Sequence, residues 1–362
     1  MLSVAILIVG FLLLLSILVV IHEAGHFIVA KLAGVKVEEF GVGFPPRLWG
    51  IRRGETVFTL NAIPLGGFVK MLGEESPSDP RSLAAKSPGI RFLVMAAGPF
   101  MNLILAVLLF SVMFMIPQEV MVGDVLVVEV SPDSPAGEAG ILAGDIIVAT
   151  DGHTIDNDRD LRYRINLSLG DPMAWLVQRS GEQVVAIVEP RLKPPEEQGA
   201  TGIIVSTVNL RTESRVTPVW TAPWKGVQRT GEVLVLIKNE FAKWIVGGAA
   251  PEVAGPIAMG QVFGEVTQGE GLTLKNRGLA TISLAAIISL SLAIFNFLPI
   301  PALDGGRMFF VVIEWLRRGK RISPEREGMV HLVGFVVLIT LAIMISLVDI
   351  ARIFRGDSLL GG

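Results

Sequence analysis

Residues 2–27 read LSVAILIVGFLLLLSILVVIHEAGHF. Residues 2–21 contain no Asp, Glu, Lys, Arg or His, and as an α-helix they span roughly 30 Å, the thickness of one hydrocarbon core. His22 and His26 are four residues apart, so on this helix they lie on one face and can share a metal ion. Glu23 is placed to take a proton from a water molecule that such a metal activates. The stretch predicts a membrane helix that ends in a metal site.

The alternative is a pair of structural histidines that binds no metal. The chain has only 4 histidines, and two of them fall in this motif. Ionisable residues at membrane depth are costly and usually have a function. The pattern therefore favours the metal site.

The composition is typical of a membrane protein that carries a soluble insert. Hydrophobic residues make up 51% of the chain and charged residues 18%, where a soluble domain carries about 25% charge. The net charge of −3 gives no indication of a nucleic-acid partner. There is no cysteine, which excludes disulfides and thiolate ligands. A third protein ligand must therefore be Asp, Glu or one of the other two histidines, His153 and His331.

Three further apolar runs, residues 92–116, 278–303 and 328–348, are predicted to span the membrane. The two short loops between spans, residues 27–91 and 304–327, are rich in Lys and Arg. Positive charge in short loops favours the cytoplasmic side, so both termini and the segment between the second and third spans are expected outside. The histidine motif then faces the cytoplasmic half of the bilayer.

Residues 296–306 read NFLPIPALDGG and contain the strongest candidate for the third ligand, Asp304. Two prolines break the third span at membrane depth, where irregular backbone is tolerated only if it is buried or lines a wet cavity. The alternative is that Asp304 caps a helix beginning near Gly305. His153 and His331 lie outside both motifs and are not expected to bind the metal.

With these motifs, the chain resembles the site-2 protease family of intramembrane zinc metalloproteases, and within it the bacterial branch typified by the regulator-of-sigma-E protease. The resemblance covers nearly the whole chain. It implies that His22, His26 and Asp304 bind one zinc ion per chain and that Glu23 is the catalytic base. It also implies that Asn296 holds the substrate or the oxyanion.

The second span contains Gly98-Pro99-x-x-Asn102, which resembles another signature of the family. The resemblance implies that Asn102 helps to position the substrate. The alternative is that Asn102 forms a hydrogen bond between packed helices.

Two β-rich runs, residues 35–43 and 56–71, flank a turn and predict a membrane-associated β-hairpin. Such a hairpin could present an edge strand to an extended substrate. In the family that this chain resembles, a membrane-reentrant β-loop of similar sequence is thought to do so. Gly66 and Gly67 are therefore candidates for substrate positioning. The alternative is a hairpin that only seals the cavity.

Residues 122–191 look like a single PDZ domain, from the pattern S-P-A…A-G-I…G-D-I-I…D-G. PDZ grooves bind peptide ends by strand addition, and a plain structural spacer is the alternative. Residues 191–200 are rich in Pro, Glu and Gly and are predicted to be a linker. Residues 220–246 have helical spacing and three tryptophans, which indicates an amphipathic helix on the outer membrane face.

The sequence therefore predicts an α-helical polytopic membrane protein with four transmembrane helices, a membrane-associated β-hairpin and an inserted extracytoplasmic α+β PDZ domain. The predicted parts are an N-terminal membrane core (1–121), the PDZ domain (122–191), a linker with an amphipathic surface helix (192–277) and a C-terminal membrane core (278–362). The expected location is the bacterial cytoplasmic membrane.

The resemblance implies cleavage of the transmembrane region of single-span membrane proteins that another protease has already shortened outside. Regulated intramembrane proteolysis of this kind acts on anti-sigma factors or signal-peptide remnants. A zinc transporter is one alternative, but it would need neither Glu23 nor a PDZ domain. A catalytically silent PDZ scaffold is another, but its metal motif would be free to decay. Every motif position is intact, which favours the enzyme.

Overall fold

The computed structural model describes residues 2–74, 77, 79–195, 198–248, 255–269 and 271–355. The α-helices are, in chain order, α1 (Leu2–Leu32), α2 (Pro88–Met115), α3 (Pro135–Glu138), α4 (Asp158–Leu167), α5 (Ala222–Ile245), α6 (Pro256–Gln268), α7 (Leu274–Phe297), α8 (Asp304–Leu316) and α9 (Pro324–Arg355). The strands are β1 (Val37–Arg53), β2 (Thr56–Met71), β3 (Gln118–Val130), β4 (Ile146–Thr150), β5 (His153–Thr154), β6 (Met173–Arg179), β7 (Glu182–Val188) and β8 (Ile203–Arg215).

The chain divides into two compact units. Met1–Met113 and Val253–Gly362 form a membrane-type unit, and Phe114–Glu252 form a second unit inserted between its halves in the sequence. Within the described part of the chain, four helices are long and apolar enough to cross a bilayer: α1, α2, α7 and α9. The four predicted spans are thus confirmed as apolar helices of sufficient length.

The helix bounds differ from those of the predicted spans, and α9, for example, continues to Arg355 instead of ending at residue 348. The first, α1, continues beyond residue 21 to Leu32, so the histidine motif lies inside the helix. The third span, α7, stops at Phe297 instead of continuing to residue 303. Pro299 and Pro301 follow at once, and proline cannot donate a backbone hydrogen bond to extend a helix.

The membrane-type unit is held together by close helix contacts and small apolar clusters. In α1, a Cβ atom added at Gly25 would lie 2.3 Å from the carbonyl oxygen of Ala97 in α2, so only glycine permits this contact. Further along α1, Phe11 packs against Phe263 of α6 and belongs to a buried cluster with Ile288 of α7. The motif helix is therefore packed against α2, α6 and α7.

The predicted hairpin is present as strands β1 and β2, and it folds back on itself. Residues 39–42 of β1 pair with residues 67–70 on one side and with residues 57–60 on the other. Residues 47–53 of β1 then pair with residues 56–61. The result is a single sheet of four strand segments in which residues 67–70 form one edge. This edge segment, residues 67–70, has no strand partner on its outer side among the described residues.

A short turn joins α7 to α8 and brings Asp304 to the start of α8. The turn folds tightly onto the helix, because a Cβ atom at Gly305 would lie 1.9 Å from the Leu298 carbonyl oxygen. At Gly306 it would lie 2.5 Å from the Ile300 carbonyl oxygen. Two consecutive glycines are thus required where the turn meets α8.

The inserted unit is an antiparallel sheet with the strand order β7-β6-β4-β3-β8, and β5 pairs with β4. Its core surrounds Trp175, which is completely buried, together with Val125, Ile147 and Leu161. The segment predicted to be a PDZ domain, residues 122–191, contains most of β3 and all of α3, β4, β5, α4, β6 and β7. Assignment of this unit to the PDZ fold stays a prediction.

Residues 192–277, where a linker and one surface helix were predicted, contain two further elements besides that helix, β8 and α6. Strand β8 pairs with β3 along its length, from Gln118 opposite Arg215 to Val130 opposite Ile203, so the sheet extends beyond residue 191. Ile203 and Val205 pack against the core, which explains why this segment joins the sheet. Helix α6 is the second element, and it packs in the membrane-type unit. The helix predicted at residues 220–246 is present as α5.

Candidate metal centre

Two buried histidines of α1 form one side of the candidate metal centre. His22 and His26 are 7% and 6% exposed, and one turn of helix places them on the same face. Their Nε2 atoms are 3.2 Å apart. Two imidazole nitrogens this close in a buried site require a shared proton or a shared cation.

Asp304 completes the cluster from the start of α8. Its Oδ2 lies 2.9 Å from Nε2 of His22 and 3.1 Å from Nε2 of His26. The N-cap of α8 is Leu303, and the Asp304 carboxylate faces the two histidines. The structure therefore brings together the three residues that the two sequence motifs supplied.

The donor set fits a zinc ion. Three donors at about 2.0–2.2 Å from a tetrahedral zinc would be about 3.3 Å from one another, close to the separations found here. Nδ1 of His26 lies 2.7 Å from the carbonyl oxygen of Val94 and donates to it, so Nε2 of that ring carries its lone pair toward the cluster. Within the described ranges, His22, His26 and Asp304 are the one group of three such residues whose ligand atoms all lie within 4.8 Å of one another.

Asn102 contacts the other metal-facing histidine from α2. Its side-chain Nδ2 is 3.4 Å from Nδ1 of His22, and its Oδ1 is buried without a hydrogen-bond partner in the described part of the chain. A 180° rotation of the amide would let Oδ1 accept the Nδ1 proton, as the zinc-binding tautomer of His22 requires. The Asn102 carbonyl oxygen also accepts a hydrogen bond of 2.8 Å from Ser289 of α7. The structure thus places Asn102 against a ligand and between helices.

Gly98 lies directly against the two ligand atoms, a contact that its place in the sequence pattern does not predict. A Cβ atom at Gly98 would lie 2.2 Å from Nε2 of His26 and 2.6 Å from Nε2 of His22. Any side chain there would occupy the space into which both histidines point. The signature that contains Asn102 also contains Gly98, so the signal was present in the sequence but its steric meaning was not.

Glu23 lines a cavity of about 230 Å³ together with His26, Asp304, Phe68 and Val69. Phe68 and Val69 belong to the edge segment. A Cβ atom at Gly67 would be 3.6 Å from Cγ of Glu23, an ordinary contact distance, so this point of the strand lies beside the Glu23 side chain. The cavity therefore joins the candidate base, the candidate ligands and the edge segment.

Ser16 of α1 anchors the chain just before the edge segment. Its Oγ donates to the carbonyl oxygen of Pro64 at 2.7 Å and accepts from the N–H of Gly66 at 3.4 Å. Gly66 has a φ of 79°, which favours glycine. Gly66 and Gly67 thus lie against α1, and Gly67 is beside Glu23.

Asn296 is engaged with its own helix. Its Nδ2 donates to the carbonyl oxygen of Leu292 at 2.9 Å, four residues earlier in α7. One N–H of this amide is therefore engaged, and the second N–H is the donor left for the predicted role at the oxyanion. His153 is exposed in the inserted unit, and Nδ1 of His331 accepts a hydrogen bond from the N–H of Ala302.

Comparison with known proteins covers most of the chain. The sequence model of a protein family described as Peptidase family M50 matches residues 10–341. A Clostridium perfringens protein named "Putative zinc metalloprotease" is 37% identical over 346 residues, which are 94% of this chain and 97% of that protein. The zinc metalloprotease RasP of Oceanobacillus iheyensis is 28% identical, over 96% of this chain and 99% of its own. A solved PDZ domain of an SdrC-like protein from Listeria innocua covers 23% of this chain at 26% identity, with a TM-score of 0.19. The match over residues 10–341 shows that the chain belongs to peptidase family M50.

Proposed function

We propose that this chain hydrolyses peptide bonds inside the transmembrane region of single-span membrane proteins. The broader activity follows from the family: the chain is a site-2 protease-type zinc metalloendopeptidase of the membrane, with relatives named zinc metalloproteases across nearly its full length. The observation that carries the finer proposal is the position of the metal centre within α1, which is apolar enough to span a bilayer.

His22, His26 and Asp304 would hold one zinc ion per chain and leave one coordination position for water or substrate. When bound there, zinc supplies Lewis acidity that lowers the pKa of water to about 7 and polarises the scissile carbonyl. Val94 and Asn102 orient the two imidazole rings through their Nδ1 atoms. The chain thus supplies three ligands and the groups that fix two of them.

Glu23 is the general base of the proposed reaction. It takes the proton of the attacking water as the water oxygen bonds to the carbonyl carbon, and it returns a proton to the amine nitrogen as the C–N bond breaks. Asn296 would donate a hydrogen bond to the oxyanion through the second N–H of its amide, while the first stays on the Leu292 carbonyl.

The edge segment offers a way to present the substrate. A helical substrate hides its peptide bonds, whereas a chain paired with a strand edge is extended and accessible. The edge segment lines the same cavity as Glu23 and Asp304, and its outer side lacks a strand partner in the described ranges. Exposed apolar side chains on β1, including Phe44, Leu48 and Trp49, are suited to contact with lipid.

The inserted unit is proposed to be a PDZ domain on the outer side of the bacterial cytoplasmic membrane, with both termini on that side and the metal centre toward the cytoplasm. This orientation rests on the Lys and Arg residues of the two short loops. A groove of about 360 Å³ between α4 and β8 is lined by Leu161, Ile165, Ile203 and Val205. It is the proposed site for a peptide end exposed when another protease shortens the substrate.

The substrate class is tested by cleavage of a purified single-span protein tagged at both ends, with mass spectrometry of the new termini. We expect termini that map inside the apolar span, loss of cleavage with a chelator and recovery with added zinc. New termini only outside the span would contradict intramembrane cleavage while leaving the zinc peptidase activity intact.

A further inference from the structure

Ala302, two residues before Asp304, has an unusual backbone conformation. Its φ is 77°, in the left-handed region that residues with a Cβ atom rarely adopt. Its N–H donates a hydrogen bond of 2.8 Å to Nδ1 of His331 in α9. This bond from a separate helix therefore supports a strained conformation beside a candidate ligand.

A second contact between α9 and the same turn lies one helical turn further on. A Cβ atom at Gly334 would lie 2.4 Å from Cβ of Pro301 and 2.7 Å from its carbonyl oxygen. His331 and Gly334 are three residues apart, so they share one face of α9, and that face lies against the turn. The His331 ring also packs against Phe310 of α8, with 5.5 Å between ring centroids. His331 thus touches both the turn and the helix that Asp304 begins.

The turn itself has little internal support. Ile300 donates to the Leu298 carbonyl at 2.7 Å, and Leu303 donates to the Ile300 carbonyl at 3.2 Å. Pro299 and Pro301 have no N–H to donate. Ala302 is therefore the remaining donor in the middle of the turn, and its partner is His331.

We infer that His331 is a positioning residue of the metal centre, which acts by accepting the Ala302 N–H and so holding the turn that directs Asp304 toward His22 and His26. The inference rests on the proposed role of Asp304 as a ligand. Residues that orient metal ligands typically change metal affinity by about 10–100-fold when they are replaced. Because His331 acts through the backbone, we expect an effect near the lower limit.

The test is zinc affinity of the purified full-length protein, measured by competition with a chromogenic chelator. His331→Leu fills much of the space without an acceptor and is expected to raise the zinc Kd about tenfold. His331→Asn, whose Oδ1 can accept the Ala302 N–H from nearly the position of Nδ1, is expected to stay within about threefold of wild type. Leu332→Ala, at a neighbouring residue of α9 that is 62% exposed, is the matched control and is expected to bind zinc like wild type.

Asp304→Ala in the same assay separates this inference from the proposed function. If Asp304→Ala loses zinc but His331→Leu binds it like wild type, the positioning role is overturned and the ligand assignment stands. If Asp304→Ala itself keeps wild-type affinity, the ligand assignment fails and the inference fails with it. Equal weakening by His331→Leu and His331→Asn would overturn the acceptor role. Should His331→Leu not fold, Gly334→Ala is measured instead, and wild-type affinity there would overturn the inference, because its methyl group must displace Pro301.

Discussion

At the scale of single residues, the metal centre depends on Gly98, which has no side chain, as well as on its ligands. Nε2 atoms of His22 and His26 point into the space that a Cβ atom at Gly98 would fill. The same helix pair is brought close by Gly25, which contacts the Ala97 carbonyl. Small residues at these two positions let α1 and α2 approach closely enough for α2 to orient both rings.

Gly98→Ala is expected to lower zinc affinity by at least about tenfold, because the methyl group must push both imidazole rings away from Asp304. Gly89→Ala, in the same helix, is the matched control, since its Cβ atom would meet Trp315 at an ordinary distance of 3.9 Å. Zinc content after dialysis against a weak chelator measures both. Full zinc retention by Gly98→Ala would contradict the geometry of the site.

At the scale of elements, contacts with α1 hold the hairpin where the proposed substrate edge reaches the cavity. Ser16 bonds both Pro64 and Gly66, immediately before the edge segment that reaches the cavity. The hydroxyl therefore fixes where the strand crosses the motif helix. The Ser16 hydroxyl bonds to the hairpin and not to a metal ligand, so its loss should affect substrate cleavage more than zinc binding.

Ser16→Ala is expected to lower kcat/KM for a single-span substrate by up to about tenfold, the equivalent of one net hydrogen bond, while zinc content stays at the wild-type level. Ser111→Ala is the control, because that buried hydroxyl bonds the Val107 carbonyl of its own helix. A Ser16→Ala enzyme with unchanged kcat/KM would show that the position of the edge segment does not limit cleavage.

The elements differ in how far the sequence could predict them. His22, Glu23 and His26 lie within one turn of a helix, so local spacing alone was enough to predict that the histidines share a face. The approach of Asp304 to them depends on packing across 278 residues or more of chain. The broken third span made Asp304 a candidate ligand, and the motif resemblance implied its role, but neither follows from local spacing. The folding of the hairpin onto itself and the pairing of β8 with β3 also depend on distant residues. Local periodicity carries no information on such contacts.

His331 and Gly98 show a second limit of prediction from sequence. Each acts through a contact with a residue remote in sequence: a backbone N–H for His331 and two ring nitrogens for Gly98. A lone histidine in an apolar run and a glycine beside a proline have many ordinary explanations. Only the structure shows what each one touches.

At the scale of the whole molecule, an α+β unit is inserted in the sequence between two apolar helices of the peptidase. The catalytic candidates all lie in the membrane-type unit, and the inserted unit contributes none of them. Gln118, at the start of β3, is paired with Arg215, at the end of β8, so the chain enters and leaves the sheet at adjacent points. A short linker can therefore replace it, since paired residues are about 5 Å apart.

Replacement of residues 118–215 by a short Gly/Ser linker is expected to preserve zinc binding and cleavage of a substrate already shortened on its outer side. It is also expected to permit cleavage of the same substrate with its bulky outer domain intact, because a gate selects by exclusion as well as by binding. Both substrates are compared with the intact and the shortened enzyme, and zinc content confirms that the shortened enzyme is loaded. An unchanged preference for the trimmed substrate would place the selection outside the sheet.

In the proposed mechanism, His22, His26 and Asp304 bind zinc and Glu23 moves the proton. Zinc stoichiometry and cleavage rate, measured on the same preparations of wild type, Glu23→Gln and Asp304→Ala, test it most directly. We expect Glu23→Gln to keep about one zinc per chain and to lose at least about 100-fold in cleavage rate, because only proton transfer is removed. We expect Asp304→Ala to lose both zinc and cleavage. Cleavage near the wild-type rate by Glu23→Gln would contradict the role of Glu23 as the base. Wild-type zinc content in Asp304→Ala would contradict the role of Asp304 as a ligand.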